Sequence, residues 1–437
     1  MSGASRFSDF EARSPDWLAV DEAHSRILSA AAPCGHEEIS TTEALSRALA
    51  EEVVATATLP PWDNSAMDGY AVRSDDVQGA TSSSPVTLIV EEIVRAGDGP
   101  GAEVVSGKAV RIMTGAPIPE GADTVIRVED TDGEERPGHV RIFEERDRGR
   151  HVRGAGQDMR RGASLLGPGY TVTAGALGVL AAAGRGSVLV FKAPTVALLA
   201  TGDELRTLDQ YEEVRAGRGI PESNRPMLSA MVRQAGAQPV ELGIAADDPM
   251  DLRRMIEEGA EADVLITVGG ASMGEADLVK RVLDEAGFEQ DFWRVKVRPG
   301  SPISFGWLRR GERRQPVFGL PGNPSSAFVT FEVFVRPFLL RSAGHRRVLR
   351  RTVTCLAAEQ MDAPAALTYY HRVSITPGKD CLRARLTGPQ GSGLVTGLAL
   401  ADGLAVIPPE TTSVQEGDPI LVMLLDTGPA ALEHDVG

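Results

Sequence analysis

From residue 191 to about residue 340 the chain repeats one pattern: a run rich in β-branched and other apolar residues, a polar loop, then a segment with apolar residues every three or four positions. Short apolar runs between turn signals make strands, and the 3.6-residue repeat makes amphipathic helices. The pattern predicts strands at 195–200, 238–244, 262–268, 292–297 and 316–320, and helices at 226–236, 249–261, 276–286 and 323–340. Pro249 sits where a helix's first turn needs no N–H, and Leu252, Met255 and Ile256 share one face of that helix. Strands alternating with helices imply an α/β domain with a mostly parallel sheet.

The stretch before this unit has another texture. Short strands separated by Gly, Pro and Asp turns fill 57–147, as in an all-β module. Its flanks, 14–56 and 148–190, are each too small to fold alone, so they are expected to form one mixed helical/β domain interrupted by the module. The α/β unit spans 191–341, and the alternating residues of 342–437 make a C-terminal β domain. The arginine-rich run 341–351 reads as a solvated linker. The fold class is therefore multidomain α/β plus β.

Composition narrows the function. A net charge of −16 over 437 residues argues against a nucleic-acid partner, whose phosphates need a basic surface. Charges run through the first seventeen residues, so no secretory signal is expected and cytoplasmic residence follows by default. The longest charge-free stretch, 162–184, is interrupted by glycines and Pro168 and reads as a loop plus a packed helix, with no membrane span. Cys34, Cys355 and Cys381 fit neither a disulfide framework nor a zinc knuckle, and the histidines lack zinc-ligand spacing. A Gly-Lys-Ser/Thr phosphate loop does not occur, and a covalent nucleophile is not expected.

Ligands of open parallel sheets bind beyond the carboxyl ends of the strands. Here those ends run into Thr201-Gly202-Asp203-Glu204, into Asp247-Asp248, and into a glycine loop holding Gly269, Gly270, Ser272 and Gly274. The loop leads into a helix, so its amides and the helix dipole suit an anion such as phosphate; a glycine-rich connection without a ligand is the competing reading. Glu204, Asp247 and Asp277 converge in sequence on the same edge and suit a hard cation, Mg2+ above all. Helix capping is the alternative for such acids, and for Asp248, directly before Pro249, it is preferred. Strand periodicity would put Arg294, Lys296 and Arg298 on one face, either to meet a polyanion or to protect an edge strand. The turn 319–324, with Pro321, Gly322 and Asn323, returns amides to that edge. Upstream, 59–73 packs two carboxylates, an amide and a hydroxyl between proline and glycine, as a site or as an ordinary Asx/Gly turn.

Five ordered motifs then carry a resemblance: Asp63-Asn-Ser-Ala-Met-Asp-Gly-Tyr70, Arg111-Ile-Met-Thr-Gly-Ala116, Thr201-Gly-Asp-Glu-Leu205, Gly269-Gly-Ala-Ser-Met-Gly-Glu-Ala-Asp277 and Gly319-Leu-Pro-Gly-Asn-Pro324. Over nearly its whole length the chain resembles the molybdopterin molybdenumtransferase family, which includes the E domain of gephyrin. The resemblance implies an elongated four-domain homodimer that takes adenylylated molybdopterin and molybdate, inserts the metal into the dithiolene and releases AMP. It implies that the α/β unit is a molybdopterin-binding domain, and that Asp63 and Thr114 face the α/β domain of the other subunit. Asp158, Glu204, Asp247, Asp277, Arg294 and Arg298 match further functional positions, as do Arg372 and Ser392 in the C-terminal domain. A molybdopterin adenylyltransferase and molybdoenzyme acceptors are the plausible partners. Two departures stand out: Arg294 and Arg298 replace common lysines, which changes a point charge into a planar fork, and Ser301 stands where lysine is frequent, with Lys296 a possible substitute. Adenylylation of molybdopterin itself and a gephyrin-like scaffold role without catalysis are the competing functions.

Overall fold

The computed structural model describes residues 17–99, 101–269, 278–379 and 381–425. At its centre is a six-stranded sheet ordered Gln238–Ala245, Thr195–Thr201, Val264–Val268, Arg313–Leu320, Ser304–Arg310, Phe288–Trp293. The first four strands pair in parallel and the last two are antiparallel additions. Val264–Val268 is buried at every position, as expected for a strand covered on both faces. Helices Asn224–Gln234 and Pro249–Glu258 return the chain between parallel strands, and Leu252, Met255 and Ile256 are the buried face of the second. The multidomain α/β plus β class read from the sequence is the observed one.

The structure corrects several sequence expectations. Ser304–Arg310 is a strand that periodicity did not reveal, because Gly306 and two terminal arginines blur its alternation. The helix expected at 323–340 is α-helical over Pro324–Thr330, opens into a π turn over Phe331–Val335, and resumes over Arg336–Ser342. The arginine-rich run is no solvated linker. Arg350 pairs with Glu332 at 2.9 Å, with side chains only 6% and 3% exposed, the Arg346 amide donates to the Gly169 carbonyl, and buried His345 meets the Thr171 hydroxyl at 2.7 Å.

Around the central sheet lie smaller cores. His36–Ser40 pairs with Ser187–Phe191, and Val53–Val54 with Ser164–Leu166, so the two flanks of the β module meet around Leu49, Val53, Leu180 and Val190. The module holds a five-stranded sheet ordered Thr124–Arg127, Gly69–Val72, Lys108–Ile112, Val86–Val94, His139–Ile142. In the C-terminal part, Thr368–Pro377, Leu382–Leu386, Thr352–Ala357, Pro419–Leu424 and Gly403–Ile407 close into a barrel, because the last strand pairs back with the first. Helix Val20–Ala30 places Val20, Ala23 and Ile27 on one face and buries them in the core of the central sheet. Among the described residues no helix is long and apolar enough to cross a membrane.

Burial, reinforced by Arg336 and Arg47, pushes the His345 imidazole down to about 4, and burial also lowers His24 and His371. A histidine kept neutral in the fold binds its proton more readily when unfolded. Stability is therefore complete above the ordinary imidazole value of 6.5 and declines as pH falls toward 4. Thermal melts across that window should show a falling midpoint in the native protein and a shallower fall in His345→Gln; parallel curves would remove His345 as a contributor.

Candidate active site

The parallel strands end in step. Thr201 lies opposite Ala245, Ala200 opposite Val268, and Val268 opposite Leu320, so four loops leave the sheet at one level. On this edge the exposed carboxylate of Glu204 folds back over Gly202, where an added Cβ would lie 2.6 Å from Oε2. The Asp247 amide donates to Asp203 Oδ1 at 3.0 Å, and the Asp203 amide donates to Asp247 Oδ2 at 3.5 Å. Asp248 accepts from the Met250 and Asp251 amides, both at 2.9 Å, and is the N-cap that its place before Pro249 predicts.

Gly269 closes against its neighbours. Its amide donates to the Leu320 carbonyl at 3.2 Å, its φ is +103°, and an added Cβ would lie 2.9 Å from the Thr201 carbonyl oxygen. Only glycine fits there. Gly270, Ser272, Gly274 and Asp277 lie outside the described residues. Among the described residues no group of three His, Cys, Asp or Glu side chains is close enough to hold a metal.

The turn after Arg313–Leu320 completes the edge. Pro321 is buried while Gly322 and Asn323 are exposed, and the Asn224 side-chain amide donates to the Gly322 carbonyl at 2.6 Å. Asn323 Nδ2 donates to Ser392 Oγ at 3.1 Å, and the Ser325 amide donates to the Ser392 carbonyl at 3.0 Å. Thus a loop of the barrel is fastened to the sheet edge. The same loop surrounds Arg372, which is 0% exposed. Its Nη2 donates to the Pro389 and Gly391 carbonyls at 2.9 and 3.4 Å, while Nε and Nη1 have no hydrogen-bond partner. Burial lowers its pKa, but a guanidinium stays charged at neutral pH.

The expected strand over 292–297 does not form, so Arg294, Lys296 and Arg298 do not share a strand face. Phe288–Trp293 ends because Arg294 takes a left-handed conformation, φ +83°. Its guanidinium stacks on the Trp293 ring at 4.0 Å and lies 5.3 Å from the Trp17 ring, and burial lowers its pKa. Lys296 is exposed; Val297–Arg298 leaves the sheet altogether and pairs in parallel with Thr368–Tyr369 of the barrel. Ser301 is buried and donates to the Val297 carbonyl at 2.6 Å, so its hydroxyl is spent within the turn.

Asp63, Thr114 and Asp158 lie in and beside the β module, each with its own surroundings. Asp63 Oδ1 accepts from the Ala155 amide at 2.7 Å, and Asp158 joins Leu59, Pro60, Asn64, Arg153 and Gln157 around an open cleft of about 440 Å³. Thr114 gives its amide and its hydroxyl to Asp68 Oδ1, at 2.6 and 2.8 Å. Those two bonds hold the Asp68 carboxyl below the usual carboxylate range. No hydrogen bond or ion pair among the described residues joins Asp63, Thr114 or Asp158 to Glu204 or Asp247. Asp68, Asp203 and Asn224 were passed over in the sequence. The first two lie inside recognised motifs and were discoverable; Asn224 carries no local signal, since only folding brings it to Gly322.

Gly69 fixes the first motif: an added Cβ would lie 2.0 Å from the Ile126 carbonyl oxygen across the paired strand. Gly69→Ala should cost at least the ~1–3 kcal/mol usual for overpacking. Urea denaturation checks this, and an unchanged midpoint would contradict it.

Comparison with known proteins follows this architecture. Residues 18–184 match the MoeA N-terminal region (domains I and II), 197–341 a probable molybdopterin-binding domain, and 355–425 the MoeA C-terminal region (domain IV). Molybdopterin molybdenumtransferase 2 of Mycobacterium tuberculosis (strain ATCC 25618 / H37Rv) is 34% identical over 408 residues, covering 92% of this chain and 98% of that protein. Molybdopterin molybdenumtransferase of Bacillus subtilis (strain 168) is 33% identical over 422 residues, 95% of each chain. The crystal structure of the molybdopterin biosynthesis moeA protein from Pyrococcus horikoshii OT3 superposes with a TM-score of 0.80 at 25% identity, covering 94% of this chain and 100% of that one. With its three regions matched in order and full-length relatives a third identical, the chain belongs to the MoeA family of molybdopterin molybdenumtransferases.

Proposed function

We propose that the protein is a molybdopterin molybdenumtransferase: it inserts molybdate-derived molybdenum into the dithiolene of adenylylated molybdopterin and releases AMP. One observation carries the reading beyond family membership. The Asn323–Ser392 hydrogen bond fastens an edge bearing Glu204 and Asp247 to a loop that encloses a buried guanidinium with two unpaired nitrogens. The loop that carries the desolvated cation, suited to an oxyanion, is thereby joined to the sheet edge that carries the acids, suited to a cation.

In this reading Arg372 and Ser392 hold the molybdate, for which a guanidinium fork is a strong, oriented donor. The acids fit Mg2+ by their chemistry, being hard oxygen donors on one edge; Glu204 and Asp247, together with Asp277, would hold it. Bound there, the ion supplies Lewis-acid polarisation of the pyrophosphate. Arg294 and Arg298 neutralise phosphate charge, and the exposed Gly322, with no side chain, lets the substrate approach the backbone. The sulfur ligands of molybdenum belong to the pterin, so the chain needs no cysteine cluster.

Asp63, Thr114 and Asp158 enter the scheme through a second copy. The reading makes the protein a cytoplasmic homodimer in which these residues face the partner's sheet edge, supplied by a molybdopterin adenylyltransferase and delivering to molybdoenzymes. Glu204→Gln and Asp277→Ala should lower AMP release from adenylylated molybdopterin by about a hundredfold or more, the range for removing electrostatic stabilisation at a reacting phosphate. Undiminished turnover in both would refute the assignment. For Arg372→Lys the Michaelis constant for molybdate should rise about tenfold, because a point charge replaces the fork. An unaltered constant would move the oxyanion elsewhere.

A further inference from the structure

One buried polar group beside this edge has no role in the scheme above. Asn224 opens helix Asn224–Gln234 and is 9% exposed. Its Nδ2 donates to the Gly322 carbonyl at 2.6 Å, and its Oδ1 has no hydrogen-bond partner. The orientation of the amide is fixed by that contact: turning it over would set Oδ1 against the Gly322 carbonyl oxygen, two acceptors with no proton between them. The group left over is therefore an acceptor. A buried acceptor without a donor is unfavourable, and in folded proteins such groups mark a place where a partner belongs.

The surroundings select the partner's chemistry. An anion is excluded, because the adjoining Glu222 side chain is 2% exposed and already takes the Arg225 amide at 2.6 Å, so a carboxylate occupies the start of this helix. What suits Oδ1 is a neutral N–H or O–H. Close by, the backbones of Gly269 and Gly322 approach so that a Cβ on Gly322 would lie 3.5 Å from Gly269 Cα, and Gly322 itself is exposed on the edge. All three residues fall within 197–341, the region matching a probable molybdopterin-binding domain. The donor-rich group of molybdopterin is the amino-pyrimidinone ring of its pterin.

We infer that Asn224 is a pterin-binding residue: its Nδ2 fixes the Gly322 turn, and its Oδ1 accepts a hydrogen bond from an N–H of the pterin ring. The inference rests on the proposed transferase reading and extends it to the pterin end of the substrate. It also separates the two ends chemically, with arginines and acids serving the phosphates and oxyanion, and a neutral buried amide serving the pterin.

The test uses the full-length protein and two variants, Asn224→Leu, which removes donor and acceptor, and Asn224→Gln, which keeps both on a longer stem. The Michaelis constant for adenylylated molybdopterin and the inhibition constant for AMP are measured with each. Asn224→Leu should raise the first about tenfold and change the second less than about twofold, since AMP lacks the pterin. Asn224→Gln should raise the first by less than the leucine variant does. The inference is overturned if both constants rise together in the two variants, which marks a merely structural turn, or if the Michaelis constant stays at its native value. If the native protein releases no AMP from adenylylated molybdopterin, the transferase reading itself fails, an outcome distinct from a native enzyme that works with an indifferent Asn224.

Discussion

Parallel pairing in step is the constraint on which the rest of this molecule depends. Because Thr201, Ala245, Val268 and Leu320 end their strands at one level, four loops with different sequences open onto the same edge. Slipping one strand by a residue would exchange side chains between two differently packed buried faces, so the packing of the core enforces this register. Glu204, Asp247, Gly269 and the Gly322–Asn323 turn owe their proximity to that register. None is near another in sequence.

The second organising feature is the way the parts share backbone. Val297–Arg298 leaves the α/β unit to pair with Thr368–Tyr369, Lys296 accepts from the Thr368 amide, and Leu18 bonds the same segment from the other side. Tyr370 and Leu404 of the barrel are buried in the core of the central sheet together with Val20 and Ile27 of the first helix. Strand pairing is directional and fixes relative position more tightly than apolar contact alone. The consequence is that the Ser392 loop and the guanidinium inside it are held at the sheet edge rather than tethered near it.

Electrostatics then works locally against the global balance. The chain carries −16 overall, yet Arg294 and Arg372 sit where burial lowers their pKa values, one stacked on indole and one enclosed by carbonyls. A desolvated guanidinium remains protonated and interacts with an anion far more strongly than one in water. Net charge is thus a poor guide to the local environment of these two cations.

Local periodicity and turn chemistry were legible in the sequence: the parallel strands, the amphipathic helix after Pro249, the capping role of Asp248, and the motifs that place acids and glycines at strand ends. These depend on neighbours within one or two turns, and the chain carries that information in consecutive residues. What folding alone decided depends on contacts between distant segments: the break at Arg294, set by stacking on Trp293 and Trp17; the strand Ser304–Arg310, defined by its two neighbours; the docking of the arginine-rich run on Glu332, Gly169 and Thr171; and the approach of Asn224 to Gly322. A guanidinium or an amide has the same sequence signature in solvent as in a core. Only the three-dimensional arrangement determines which partners it meets and how much water it loses.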